Sequence, residues 1–79
     1  MTARVFVTLK PSVFDPQGHT ITEALHQMGY GGVDDVRQGK YIELDLGETD
    51  QAQARARVDE MCKKLLANTV IENYSVEIG

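Results

Sequence analysis

The chain has 79 residues, and its eight Lys and Arg against twelve Asp and Glu give a net charge of -4. A chain this short forms at most one domain, placed here over residues 1–79, and buries only roughly 60 to 65% of the surface that its unfolded form exposes. The acidic balance repels phosphate and disfavours nucleic acid. A single cysteine excludes an internal disulfide, and no stretch approaches the roughly 20 apolar residues of a membrane span.

We therefore expect a cytoplasmic protein with no membrane partner. The chain has neither a disulfide nor cysteines and histidines spaced for a structural zinc ion, so neither can stabilise its small core. Association with other chains is the remaining common source of stability, so we expect a homodimer or higher oligomer.

The first predicted elements are a strand and a helix. Aliphatic residues alternate with other types over Arg4–Lys10, which is typical of a strand with one apolar face. Asp15 and Pro16 suit the N-cap and first position of a helix, and Gly29 suits its left-handed C-terminal residue. The helix carries an apolar stripe at helical spacing, made of Ile21, Ala24, Leu25 and Met28.

The next segment predicts a hairpin. It combines a weak strand over Val33–Arg37, a turn at Gln38 and Gly39, and a clear strand over Lys40–Leu46 with alternating aliphatic residues.

A second helix begins after a cap at Thr49 or Asp50 and ends near Asn68. Its apolar stripe consists of Ala54, Val58, Met61, Cys62 and Leu65. Two pairs spaced i, i+4 have the favourable order of charges, Asp59 with Lys63 and Glu60 with Lys64. A last strand follows within residues 70–78.

The element order β-α-β-β-α-β predicts an α+β, ferredoxin-like sandwich, with a four-stranded antiparallel sheet and two helices on one face. The other face of the sheet would be bare. Alternation assigns to it Arg4, Phe6, Thr8, Lys10, Tyr41, Glu43, Asp45, Ser75 and Glu77. Such an amphipathic surface could close against a second copy or another protein.

No set of residues predicts catalysis. Cys62 lies on the apolar stripe of the second helix, which favours an inert core thiol. His19, Glu23 and His26 share one side of the first helix and are suitable zinc ligands, although such a trio is more often a solvated or partner-facing surface. We expect no catalytic, cofactor or metal residue on this chain.

Four residues are candidates for a protein interface: Phe6, Arg37, Lys40 and Tyr41. Phe6 and Tyr41 are expected on the bare face. Arg37 and Lys40 flank the predicted turn, where they could clamp an anion, pair with a partner's charges, or be ordinary exposed charges.

Three blocks carry a resemblance to a known family: "VTLKPSVFDPQGHTITEALHQMGY", "VDDVRQGKYIEL" and "MCKKLLANTVIENYSVEI". They resemble the PurS subunits of phosphoribosylformylglycinamidine synthase, and the resemblance spans Val5 to Ile78. It implies a ligase complex of three polypeptides that converts FGAR to FGAM in the fourth step of purine biosynthesis.

In that family the large synthetase subunit uses ATP and Mg²⁺, and a glutaminase subunit releases ammonia. The resemblance implies that the small subunit is a dimeric assembly factor that bridges the other two and supports ammonia transfer. ATP, Mg²⁺ and glutamine would then bind to other chains.

Two alternatives belong to other classes. An ACT-like small-molecule sensor uses the same element order and binds ligands near a glycine-rich turn after the first strand, where this chain has Gly18 at the start of its helix. An acylphosphatase-like enzyme would need a phosphate-binding loop with an arginine after that strand, and the sequence lacks it.

Overall fold

The computed structural model describes residues 1–47 and 49–79. Its elements, in chain order, are β1 (Thr2–Leu9), α1 (Pro16–Gln27), β2 (Gly39–Asp45), α2 (Gln51–Met61) with a π-helical last turn (Cys62–Leu66), and β3 (Glu72–Ile78). The fold is α+β, with two helices and a three-stranded antiparallel sheet in the order β2-β1-β3. No helix in this part of the chain is both long and apolar enough to cross a membrane.

The strand register separates the two faces of the sheet as alternation predicts. Val5 on the central strand lies between Ile42 and Val76, whereas the next residue, Phe6, lies between Tyr41 and Ser75. Directly opposed residues of antiparallel strands point to the same side. One face is therefore aliphatic, and the other carries the aromatic and charged side chains.

The core lies between α2 and the sheet, and Ile42 and Leu44 of β2 pack against its edge. Val58 and Cys62 of α2 pack against Val5 and Val7 of β1, and all four side chains are buried. The Tyr74 hydroxyl of β3 donates a 2.5 Å hydrogen bond to the carboxylate of Asp59. Because this bond joins residues on two elements, it fixes α2 against the sheet.

The end of α2 departs from the predicted stripe. Leu65 was expected in the core, but it is 82% exposed, and Leu66 packs on the core instead. The Ala67 N–H bonds to the Cys62 carbonyl, five residues earlier, so the last turn is wider than an α-helical turn. The wider turn rotates Leu66 toward the sheet.

The two predicted ion pairs of α2 do form. The Lys63–Asp59 distance is 3.1 Å and the Lys64–Glu60 distance is 2.6 Å. Both pairs are exposed, so solvent and salt screen them and each contributes little to stability.

The expectation that both helices cover one face of the sheet is not met in this chain. Among the described residues, α2 is the helix that packs extensively on the sheet, and it contacts β1 and β3. The apolar stripe of α1 faces outward, with Ile21 38% and Met28 70% exposed. The caps of α1 are as predicted, with Asp15 as N-cap and a left-handed Gly29 after its end.

The predicted strand over Val33–Arg37 does not form either. This segment runs back along α1, and three hydrogen bonds, one from Gln38 and two from Arg37, hold its end. Asp15 accepts the Gly18 N–H through one carboxylate oxygen (2.9 Å) and the Gln38 N–H through the other (2.7 Å). The Arg37 guanidinium donates to the carbonyl oxygens of Lys10 (3.0 Å) and Val13 (2.9 Å).

These contacts define an arm, residues 10–38, in which α1 and the returning segment pack on each other. Gly18 lies at their closest approach, where any Cβ would collide with the Val36 carbonyl oxygen. The carboxylate hydrogen bonds that Gly18 and Gln38 donate lower the pKa of Asp15. The charged form of Asp15 therefore stabilises the arm.

Gly39 has a different role from the predicted one. It does not make a turn with a left-handed backbone, because Gly29 is the only residue of positive φ in the described chain. A Cβ at Gly39 would instead collide with the Val7 carbonyl oxygen and the Thr8 side chain. Glycine is needed where β2 first meets β1.

We predict that Asp15→Asn loosens the arm. An asparagine side chain has one acceptor oxygen, so it can accept only one of the two N–H groups and places its own NH₂ against the other. Hydrogen exchange of the Gly18 and Gln38 amides, followed by NMR, should show at least one amide losing protection at neutral pH.

Acid should weaken the contribution of Asp15 to the stability of the arm. The folded pKa of Asp15 lies below the unfolded value of 3.8, so its contribution is present above that pH and is lost as pH falls below it. Asp50→Asn is the matched control, because a single Asp50 oxygen caps α2 by accepting from both Ala52 and Gln53. Unchanged protection in Asp15→Asn would contradict this account of the arm.

We also predict that Tyr74→Phe lowers the free energy of unfolding at neutral pH. The Tyr74 hydroxyl is the main cause of the lowered pKa of Asp59, and the same bond raises the pKa of Tyr74 to about 12. The contribution of Asp59 is present above pH 3.8 and is lost below it. The difference between Tyr74→Phe and the unmodified chain should therefore shrink in acid.

Chemical denaturation at pH 7 and pH 3 checks this prediction. Tyr41→Phe is the control, since it removes the hydroxyl of a half-exposed tyrosine on the other face of the sheet. Equal losses in the two variants, or the same loss at both pH values, would count against the Tyr74–Asp59 link.

Candidate interaction site

The open face of the sheet, the side opposite α2, is centred on two aromatic rings. Phe6 of β1 and Tyr41 of β2 are directly opposed, and their ring centroids lie 5.1 Å apart in a tilted arrangement. Phe6 is 39% and Tyr41 50% exposed. Aromatic pairs of this kind stabilise a sheet by about 0.5 to 1 kcal/mol and offer a rigid apolar contact to another protein.

Charged side chains flank the aromatic pair. Arg4 lies between Glu43 of β2 and Glu77 of β3 in the register, and its guanidinium is 3.9 Å from the Glu77 carboxylate. Thr8 and Ser75 provide neutral polar groups beside Phe6. This arrangement of a central apolar contact with a polar rim is typical of protein interfaces.

The other two predicted interface residues lie elsewhere. Arg37 donates to two backbone carbonyls at the base of the arm, so an anion would have to compete with those bonds. Lys40 is exposed and pairs with Val7, which places it on the side of the sheet that α2 partly covers. The structure thus brings Phe6 and Tyr41 together and leaves Arg37 and Lys40 apart from them.

Both histidines on the polar side of α1 bind groups of the arm itself. His19 pairs with Glu23 at 3.1 Å, and the His26 Nε2–H donates to the Val33 carbonyl at 2.6 Å. No group of three His, Cys, Asp or Glu side chains within residues 1–47 and 49–79 is arranged to hold a metal ion. The His26 hydrogen bond therefore joins the end of α1 to the start of the returning segment.

Cys62 lies in the core, as its position in the stripe predicts. Its thiol is buried, and burial raises its pKa, which suppresses the reactive thiolate. The position near Gly18 that an ACT-like sensor would use is filled by the Val36 carbonyl and the Asp15 carboxylate.

The sequence did not reveal the structural contacts of three residues: Asp15, Arg37 and Tyr74. The N-cap pattern reveals Asp15 but gives no sign that its second oxygen binds Gln38. Arg37 and Tyr74 bind groups that are 24 to 27 and 15 residues distant in sequence. Periodicity describes neighbours on one element and cannot detect such contacts.

Comparison with known proteins agrees with this description. The family model "PurS: Phosphoribosylformylglycinamidine (FGAM) synthase" matches residues 2–79. The PurS subunit of that synthase from Synechocystis sp. is 57% identical over 75 residues, which cover 95% of this chain and 75% of the relative. The Bacillus subtilis PurS subunit is 53% identical over 95% of this chain and 88% of its own length.

Solved structures agree as well. A crystal form of B. subtilis PurS has a TM-score of 0.86 at 53% identity and covers 96% of this chain and 94% of that one. A structure named PurLQS from Thermotoga maritima has a TM-score of 0.88 at 32% identity, with coverage of 96% and 93%. On this full-length agreement in sequence and fold, the chain belongs to the PurS family of phosphoribosylformylglycinamidine synthase subunits.

Proposed function

We propose that this chain is a non-catalytic assembly subunit that bridges the large synthetase subunit and the glutaminase subunit of its synthase. The observation that carries the proposal is the likeness to T. maritima PurLQS over nearly the whole of both chains. The site supports it too, because its principal exposed feature is an aromatic contact with a polar rim and not a set of reactive groups.

The physical role of such a subunit is geometric. Ammonia that is released at one active site reaches a second one efficiently only when the two sites are held in a fixed relation. A rigid sheet with an exposed face can hold them through a buried interface of about 800 Å² per partner. In this proposal ATP and Mg²⁺ bind to the large synthetase subunit, and FGAR is converted to FGAM there.

We assign the open face, with Phe6 and Tyr41 at its centre, to one of the two larger subunits. Buried aromatic anchors dominate the energy of many interfaces. Arg37 and Lys40 stay predictions of a contact role, since each lies outside this face.

Reconstitution tests the bridging role. With both larger subunits present, omission of this chain should abolish FGAM synthesis from glutamine and leave synthesis from a high concentration of free ammonia. Equal glutamine-dependent rates with and without the chain would reject the proposal.

A variant tests the surface. Phe6→Ala should weaken binding to the larger subunits by roughly tenfold or more, the effect of losing a hot-spot aromatic residue. Phe14→Ala is the matched control, because it removes an equally large, 68% exposed ring that precedes α1 and belongs to no strand. Binding titrations that give the two variants the same affinity would exclude the open face.

A further inference from the structure

A small cleft lies where the arm leaves the sheet. The chain is elongated, with principal extents of 48 × 24 × 14 Å, because α1 does not pack on the sheet. At the joint, the ends of β1 and the arm enclose a cleft of about 320 Å³. Ligand pockets in proteins have volumes of about 300 to 1,000 Å³, so this cleft has room for one small metabolite. It is lined by Thr8, Leu9, Pro11, Asp35, Arg37 and Asn73.

The guanidinium group of Arg37 holds a fixed position in this cleft. Its hydrogen bonds to the carbonyl oxygens of Lys10 and Val13 both come from one nitrogen, Nη2. Among the described residues, no acceptor binds its other two nitrogens, Nε and Nη1. An anion would compete with the carbonyls at Nη2 but not at the edge formed by Nε and Nη1. That edge suits a carboxylate, which accepts two parallel hydrogen bonds from a guanidinium.

The opposite charge in the cleft belongs to Asp35. Its carboxylate forms no hydrogen bond or ion pair with any residue that the structure describes, Arg37 included. A phosphate or a simple carboxylate bound to Arg37 would be repelled by Asp35 and by the net charge of -4. Two opposite charges that share a cleft without contacting each other match a ligand that carries both charges on separate atoms.

The rest of the cleft is neutral. Thr8 of β1 and Asn73 of β3 are directly opposed in the sheet, and both are exposed. The hydroxyl and the carboxamide can each donate and accept a hydrogen bond. Leu9 and Pro11 add apolar surface. This combination suits a short ligand side chain with methylene groups and an uncharged polar end.

We propose that this cleft binds a free α-amino acid with an uncharged polar side chain. The α-carboxylate binds the Nε and Nη1 edge of Arg37, and the α-ammonium group binds the Asp35 carboxylate. Such charge-assisted hydrogen bonds are roughly twice as strong as neutral ones. Both residues belong to the returning segment, whose end is held by the bond from Gln38 to Asp15. The site therefore needs little ordering when the ligand binds.

The cleft borders the open face of the sheet, because Thr8 lies on that face two residues after Phe6. A bound amino acid would thus adjoin the surface that we assign to a larger subunit. Binding itself is independent of the proposed function, since every group that contacts the ligand lies on this chain.

The first test compares three probes that share one carboxamide side chain, by NMR titration of the full chain at pH 7. L-Glutamine should bind with a dissociation constant below about 1 mM and shift the amide signals of Asp35, Arg37 and Asn73. Glutaramate lacks only the α-ammonium group, and 4-aminobutanamide lacks only the α-carboxylate. Each should bind roughly tenfold more weakly, because one charge of the cleft is left without its partner. Glutaramate binding as tightly as L-glutamine would show a simple anion site and overturn the proposal.

The second test compares two variants that remove the same charge from neighbouring exposed residues. Asp35→Asn should weaken L-glutamine binding roughly tenfold and should not weaken glutaramate binding. Asp34→Asn is the matched control, because Asp34 does not line the cleft, and it should leave both affinities unchanged. Asp35 is the residue to vary, since a change at Arg37 would also release the carbonyls of Lys10 and Val13.

Three results would contradict the proposal. They are equal L-glutamine affinities in the two variants, signal shifts confined to residues outside the cleft, and no binding of L-glutamine, L-asparagine or L-serine at roughly 10 mM.

Discussion

The double hydrogen bond of the Asp15 carboxylate is the constraint on which the rest of the structure depends. One oxygen caps α1 through Gly18, and the other holds the Gln38 N–H at the entrance to β2. The beginning of the helix and the end of the returning segment are therefore joined at one charged group. Arg37 adds a second link at the same place by binding the carbonyls of Lys10 and Val13. Together these contacts hold α1 away from the sheet.

This separation determines which apolar surfaces of the chain stay exposed. The core lies between α2 and the sheet, with Val5, Val58 and Cys62 at its centre and Ile42 and Leu44 of β2 packed against it. The stripe of α1 and the open face with Phe6 and Tyr41 stay exposed. A domain that folded α1 onto its own sheet would gain internal packing and lose one of these surfaces. The chain thus keeps exposed apolar surface at the expense of internal packing.

Much of the fold could be predicted from the sequence, because its signals are local. Alternation located the strands and placed Phe6 and Tyr41 on one face, and the caps at Asp15 and Gly29 located α1. Where local patterns were ambiguous or contacts distant, prediction failed. Val33 and Val36 suggested a strand, yet their segment binds α1. Leu65 fits the α-helical period, which the π-helical turn breaks.

Only part of the candidate site could be predicted, because alternation reports on local neighbours alone. Alternation is sufficient to pair two aromatic residues on adjacent strands, but it cannot show that the Arg37 side chain is taken up by carbonyls in the arm. It also placed Lys40 only relative to a turn, and the register shows it opposite Val7 on the aliphatic side. The family resemblance covered the function, which no local pattern could have specified.

The molar mass of the isolated chain in solution tests most directly the expectation that so small a core, on which α1 does not pack, is stabilised by association with further copies. Light scattering over a range of concentrations should give twice the chain mass of 8.8 kDa, with dissociation only on dilution. A mass of 8.8 kDa at all concentrations, with the elongated shape retained, would contradict the account.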